Sequence, residues 1–170
     1  LNIVQIISSH RRFLSPAGIP CGNISGLVAS MQGAIVRSMY SVPAEIAEIP
    51  DPAAKRYAVV RCAVSDPFVG MIITANPSTV LQMADVITQN TERLIHDIRT
   101  GEISSTEIPP TLLKRLRKKF RPNPARAMQL HDQLKHYGSL SPKEIWPELT
   151  ALGVWCGGSA AAYIPELRTL

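Results

Sequence analysis

Three stretches bring glycine, cysteine, asparagine and serine together at spacings that suit ligand contact. They are Pro20-Cys21-Gly22-Asn23-Ile24-Ser25-Gly26, Ala75-Asn76-Pro77-Ser78-Thr79 and Cys156-Gly157-Gly158-Ser159. Each lies where a strand or loop gives way to another element, so unpaired backbone amides can face an anion. None matches a Gly-x-x-x-x-Gly-Lys-Ser/Thr or Gly-x-Gly-x-x-Gly phosphate loop, and Asn-Pro caps and Gly-Gly turns also serve purely structural ends. Nucleophile chemistry finds no support: there is no Gly-x-Ser-x-Gly and no cysteine beside a histidine. Cys62 falls inside a helical pattern and reads as a small buried hydrophobe, whereas Cys21 and Cys156 flank glycines, where packing competes with a pocket role. Three widely spaced cysteines without Cys-x-x-Cys argue against a disulfide framework or a zinc site. His10, His96, His131 and His136 have no ligand spacing such as His-Glu-x-x-His, and His96, four residues after Glu92, reads as half of a surface pair. No metal ligands are assigned.

The chain carries a net charge of +5, much of it in Lys114, Arg115, Arg117, Lys118, Lys119 and Arg121. Leu112, Leu113, Leu116 and Phe120 fall on the opposite side of the same helical pattern, which makes the cations a solvated or ion-paired face. A nucleic-acid surface would want stacking aromatics or a known motif, and aromatic residues make up only 5% of the chain. No nucleic-acid partner is expected. The longest apolar runs, such as Val69 to Ala75, fall far short of the roughly 20 residues that span a bilayer. With no signal peptide visible, the expectation is a cytoplasmic protein without membrane contact.

The elements that must position these residues follow from patterning. With 45% apolar and 18% charged residues the chain is globular. Residues 2 to 8 read as a buried strand, residues 24 to 40 as either helix or short strand, and 68 to 75 as a strand buried on both faces. Asp51-Pro52 starts a helix to about Ser65. Asn76-Pro77 starts the longest helix, with Val80, Met83, Ala84, Ile87, Leu94, Ile95 and Ile98 as its apolar stripe and Gly101 as its stop. Pro109 or Pro110 opens the basic helix, Asn123-Pro124 opens another that ends near Gly138, and Ser141-Pro142-Lys143-Glu144 is a capping box. Leu149 to Cys156 is strand-like, and Ser159 begins a last helix. The order predicts an α/β fold with a mainly parallel sheet and flanking helices. The second and third junctions then lie at strand carboxyl ends, where open α/β sheets collect ligands. Because the sequence opens directly on an apolar strand and stops inside an expected helix, it reads as an internal piece of a larger domain.

Several segments, in order, resemble the auxin-responsive acyl-acid-amido synthetases and their bacterial relatives. Gly158-Ser159 followed by Tyr163-Ile164-Pro165-Glu166-Leu167 is similar to that family's strand-turn-helix pattern, with Trp146-Pro147 ahead of it. Asp97-Ile98-Arg99-Thr100-Gly101 and Pro122-Asn123-Pro124-Ala125-Arg126-Ala127 resemble helix ends and starts of the family. The stretch from Gly18 to Gly26 and the Ala75 to Thr79 cap resemble its bacterial branch. Gly157 departs from the threonine usual in plant members.

The resemblance implies that residues 1 to 170 form the central part of a large N-terminal acyl-adenylating domain. The parent enzyme would use ATP and Mg²⁺ to adenylate a small carboxylic acid and conjugate it to an amino acid. It implies acyl-substrate contacts at Cys21, Gly22, Asn23, Ser25 and Asn76, and nucleotide contacts at Gly157, Gly158 and Ser159. The phosphate loop and metal-contacting segments would lie outside this stretch, leaving it inactive alone. The alternatives are an adenylating ligase whose acceptor is coenzyme A and a free-standing basic nucleic-acid-binding module.

Overall fold

The computed structural model describes residues 1–6, 13–104 and 107–170, without the side chain of Ser30. Its sheet is built from β1 (Asn2–Gln5), β4 (Val69–Ile73) and β5 (Ala151–Gly153), in the order β1-β4-β5 and parallel throughout. A separate two-residue hairpin joins β2 (Phe13–Leu14) to β3 (Pro20–Cys21). The expected first strand is present to Gln5; Ile7 and Ser8, like His10, lie outside the described residues.

The stretch left open between helix and strand forms two helices, α1 (Ile24–Met31) and α2 (Ala34–Ser38), and then rejoins the sheet as a bridge from Tyr40 to Ile3. Ser25 and Gly26 therefore lie inside α1 rather than in a loop.

Between β1 and β4 the chain crosses over through α3 (Pro52–Ser65). Asp51 caps it, its Oδ1 accepting from the Ala54 amide at 2.6 Å. Residues from Tyr57 to Val64 are buried without a break, as expected of a helix enclosed on all sides. The cost of burying Arg61 there is offset by carbonyls: its Nε donates to Glu102 O and its Nη2 to Asp97 O, while the guanidinium lies 4.6 Å from the centre of the Phe120 ring.

The long helix expected from Asn76 to Gly101 is two helices, α4 (Ser78–Gln89) and α5 (Thr91–Thr100). At the break, Asn90 leaves helical backbone with φ −126° and ψ 21°. Thr88, Asn90 and Thr91 each turn a side chain back onto the carbonyl four residues earlier, competition that bends or ends helices. The predicted stripe survives the break: Val80, Met83, Ile87, Leu94, Ile95 and Ile98 are all buried. His96 and Glu92 are both exposed on α5, and no ion pair joins them among the described residues.

Basic helix α6 (Pro110–Arg117) buries Leu112 and Leu116, and its Arg115 forms a two-pronged pair with Glu48 at 2.8 and 3.0 Å. Helix α7 (Pro124–Tyr137) starts on Asn123, whose Oδ1 accepts from Arg126 N, and ends at Gly138 with φ 76°. The capping box of α8 (Pro142–Ile145) forms as read, and Trp146 is buried directly after it. Of the expected strand from Leu149 to Cys156, regular β5 covers Ala151–Gly153, with single backbone bonds from Thr150 N and Trp155 N on either side. The last helix is a 3₁₀ turn from Gly158 to Tyr163 running into α9 (Ile164–Leu167). Among the described residues no helix is long and apolar enough to cross a membrane.

Candidate functional site

Parallel pairing of β4 with β5 sets Met71 beside Ala151 and Ile73 beside Gly153, so both strands end on the same side of the sheet. The pairing continues past the strands, with Thr74 N donating to Gly153 O and Trp155 N to Ala75 O. The two segments that leave these strands are therefore held side by side. After β4 comes Asn76, whose Oδ1 accepts from both the amide and the hydroxyl of Ser78 at 3.0 and 2.9 Å, an Asx turn that feeds α4. After β5 comes the turn at Gly157-Gly158, where Gly158 takes φ +60°, a left-handed conformation that glycine adopts without strain.

An open groove of about 690 Å³ lies between these ends, lined by Ile73, Ala75, Asn76, Gly153, Val154, Trp155, Ser159, Ala160 and Tyr163. No side chain of this lining carries a charge. Trp155, 71% exposed, supplies a large aromatic wall, and a Cβ at Gly157 would come within 3.2 Å of its indole nitrogen. Such a surface, apolar with a few polar atoms, suits an uncharged or flat portion of a small molecule.

The structure brings two of the sequence-derived residues, Asn76 and Ser159, into one groove, although the family resemblance put them on different substrates. Gly157 and Gly158 form the adjoining turn. Cys21 ends β3, Gly22 and Asn23 lead into α1, and Ser25 lies in its first turn, none of them in the groove lining. Trp155 and Tyr163 are the groove residues that pattern reading overlooked. A tryptophan next to Gly-Gly just after a strand was the available signal.

The family model for the GH3 family N-terminal domain matches residues 2–170. The chain belongs to the GH3 family. Among solved structures, this GH3 chain is similar to a GH3.15 acyl acid amido synthetase, with a TM-score of 0.75 at 19% identity. It is likewise similar to AtGH3.15 acyl acid amido synthetase in complex with 2,4-DB, with a TM-score of 0.76 at 20% identity. Each superposition covers 98% of this chain and 30% of the other, so the GH3 chain spans under a third of the length of the structures it matches. No curated protein sequence matches it. The mixed α/β architecture with a parallel sheet is thus the fold of this part of the GH3 domain.

The groove also limits what it can hold. A triphosphate needs cations or a run of oriented amides, and Mg²⁺ needs carboxylate or other hard oxygen ligands. The lining contains no Lys, Arg, Asp or Glu, and the 3₁₀ turn after Gly157 is too short to act as a helix terminus. These residues do not fit the triphosphate or Mg²⁺; they fit an acyl group or a base.

Proposed function

We infer that this chain is part of an ATP-dependent ligase that adenylates a small carboxylic acid and passes the acyl group to an amino acid. It would form a wall of the large acyl-adenylating domain, as in the bacterial branch of the family. Membership of the GH3 family supports the class, and the uncharged groove between the ends of β4 and β5 is the observation that carries the reading to this chain. In that reaction the carboxylate oxygen attacks the α-phosphorus of ATP and pyrophosphate departs. The amine then attacks the acyl carbon and AMP departs. Activation is required because a free carboxylate is a poor electrophile.

The groove's part is to seat the acid's hydrocarbon portion away from water and hold its carboxylate at one place, a contribution of positioning. Trp155 and Tyr163 would form the wall, and Asn76 and Ser159 the polar rim. The assignment of Cys21, Gly22, Asn23 and Ser25 to the acyl side rests on the glycines and small polar groups of that stretch and on family likeness. The phosphates and metal would be held by residues outside this groove. The enzyme would be cytoplasmic and act on small molecules.

The test is acid-dependent exchange of labelled pyrophosphate into ATP by the ligase containing this chain, with product analysis in the presence of amino acids or coenzyme A. Exchange with amide formation supports the reading. Exchange with thioester as the sole product moves the protein to the coenzyme A ligases, and absence of exchange over a broad acid panel overturns adenylation.

A further inference from the structure

Gly153 is the last residue of β5 and lines the groove beside Ile73, its partner across the sheet. A glycine weakens a strand, since it packs no side chain and has more freedom to lose. Where one stands, it serves an unusual backbone, a bulge, or something that approaches closely. The first two do not apply here. Among the described residues the glycines with left-handed backbone are Gly18, Gly101, Gly138 and Gly158. Gly153 keeps strand backbone, and β4 and β5 pair without a shift, Met71 with Ala151, Ile72 with Leu152 and Ile73 with Gly153.

Packing within the chain does not demand glycine either. A Cβ at this position would lie 3.3 Å from Met71 Cε, 3.5 Å from Ile73 Cγ1 and 3.8 Å from Ile72 O. The two longer distances are ordinary contacts, and the shortest is to the free end of a flexible side chain that can give way. Gly70 of β4 is different: a Cβ there would lie 2.8 Å from Leu1 Cδ2, so a neighbour in the chain accounts for it. At Gly153 the added atom would fit, and it would stand on the face of the sheet that carries Met71 and Ile73. That face is open. Both of these residues are half-buried, whereas Ile72, which points the other way, is fully buried in the core. The Cβ would rise from the floor of the groove, with Trp155 and Tyr163 in the walls.

We propose that Gly153 is a specificity-determining residue: its missing side chain sets how deep the hydrocarbon end of a carboxylic acid sits in the groove. A side chain there would leave room for short acids and exclude long or broad ones. The role in acid selection rests on the function inferred above, while the depth of the groove stands on the geometry of β4 and β5.

The experiment compares Gly153→Ala and Gly153→Val with wild type in the ligase containing this chain, using acetate, hexanoate, benzoate and 2-naphthoate. Binding without ATP is followed by tryptophan emission, taking the part of the change that Trp155→Phe removes. Turnover is followed by acid-dependent pyrophosphate exchange. The ratio of kcat/KM for 2-naphthoate to that for acetate is expected to fall about tenfold in Gly153→Ala and further in Gly153→Val, chiefly through KM, and the binding ratio to fall with it. The melting temperature of Gly153→Ala is expected to hold or rise, because alanine suits a strand better than glycine. A lower melting temperature with equal losses for all four acids would mean that another part of the polypeptide packs on Gly153, and it overturns the proposal. So does a wild-type enzyme whose Trp155 emission responds to none of the acids. Size-graded binding without any exchange would discard the ligase and keep the floor. Exchange with losses independent of acid size would discard the floor and keep the ligase.

Discussion

The hydroxyl of Tyr57 donates to Oδ2 of Asp97 at 2.8 Å, joining α3 to α5 in the centre of the molecule. Asp97 is fully buried, and it also accepts from the amide and hydroxyl of Ser104. Burial and the nearby carboxylate together push the Tyr57 phenol above its ordinary range.

Tyr57→Phe removes only the hydroxyl, because the ring still packs under the Arg93 guanidinium 4.1 Å away. The expected loss is about 1–3 kcal/mol by urea unfolding. Asp97→Ala strands three donors at once and is expected to cost more, about 3 kcal/mol or above. Equal losses for the two would show that the donors find other partners.

Arg126 is a second buried anchor. Its Nε donates to Val64 O and its Nη2 to Ile145 O, both at 3.0 Å, and burial lowers the guanidinium to about 10. Arg126→Lys keeps the charge and loses the fork, so it is expected to destabilise by about 2–3 kcal/mol and not to rescue Arg126→Met. A wild-type midpoint for the lysine variant would show that charge alone suffices.

Caps and stops were legible because they are local. Asp51, Asn123 and the Ser141–Glu144 box each bond within three residues, and Gly101 and Gly138 take the left-handed backbone that ends a helix. Arg126 was not legible, since an arginine in the first turn of an amphipathic helix reads as surface until the carbonyls of Val64 and Ile145 are known. The break at Asn90 was hidden for a related reason: the apolar stripe continues across it. Of the candidate site, Asn76 and Ser159 were read from junction chemistry, while Trp155 and Tyr163 came into view only with the parallel pairing of β4 and β5, a contact between distant segments.

Two glycines should separate strain from clash. Gly158 has φ +60° with no heavy atom within 4 Å of an added Cβ, so Gly158→Ala is expected to cost about 1–2 kcal/mol from backbone alone. Gly101 has φ +75°, and a Cβ there would lie 2.6 Å from Pro122 Cδ. Gly101→Ala should therefore cost clearly more in thermal melts. The reverse order would contradict the packing of Pro122 on the end of α5.

Cys62 predicts a pH effect. Burial pushes its thiol from 9.0 up to about 12. Between these values the unfolded chain has released a proton that the folded chain keeps, so stability falls as pH rises through the window, by up to about 1.4 kcal/mol per unit. Arg126 acts with the opposite sign above about 10, where the unfolded chain binds the additional proton. Cys62→Ala is expected to flatten the fall between pH 9 and 10, measured by urea midpoints. At pH 8 a thiol reagent should label exposed Cys156 and spare Cys62 until the chain unfolds.

On the proposed function, acid selectivity falls to the lining of the groove. In the ligase containing this chain, Trp155→Ala is expected to reorder a panel of carboxylic acids by kcat/KM, with the largest loss, on the order of tenfold, for flat acids. Asn23→Ala, outside the lining, should shift all acids equally. A reordering by Asn23→Ala would instead assign the β3–α1 junction to the acyl pocket.

The order β1-β4-β5 also governs how the molecule comes into being. Val69 pairs with Asn2, which precedes it in the chain, and Met71 pairs with Ala151, which follows it at a long sequence distance. A ribosome adding about 5–20 residues per second delivers β1 and β4 well before the strand that covers the far edge of β4. During that interval the central strand offers an unpaired row of amides and carbonyls, an invitation to a foreign strand. Closing of that edge thus waits for the whole stretch between β4 and β5 to be made, and the yield of soluble protein is expected to depend on how quickly Ala151–Gly153 follows to shut it.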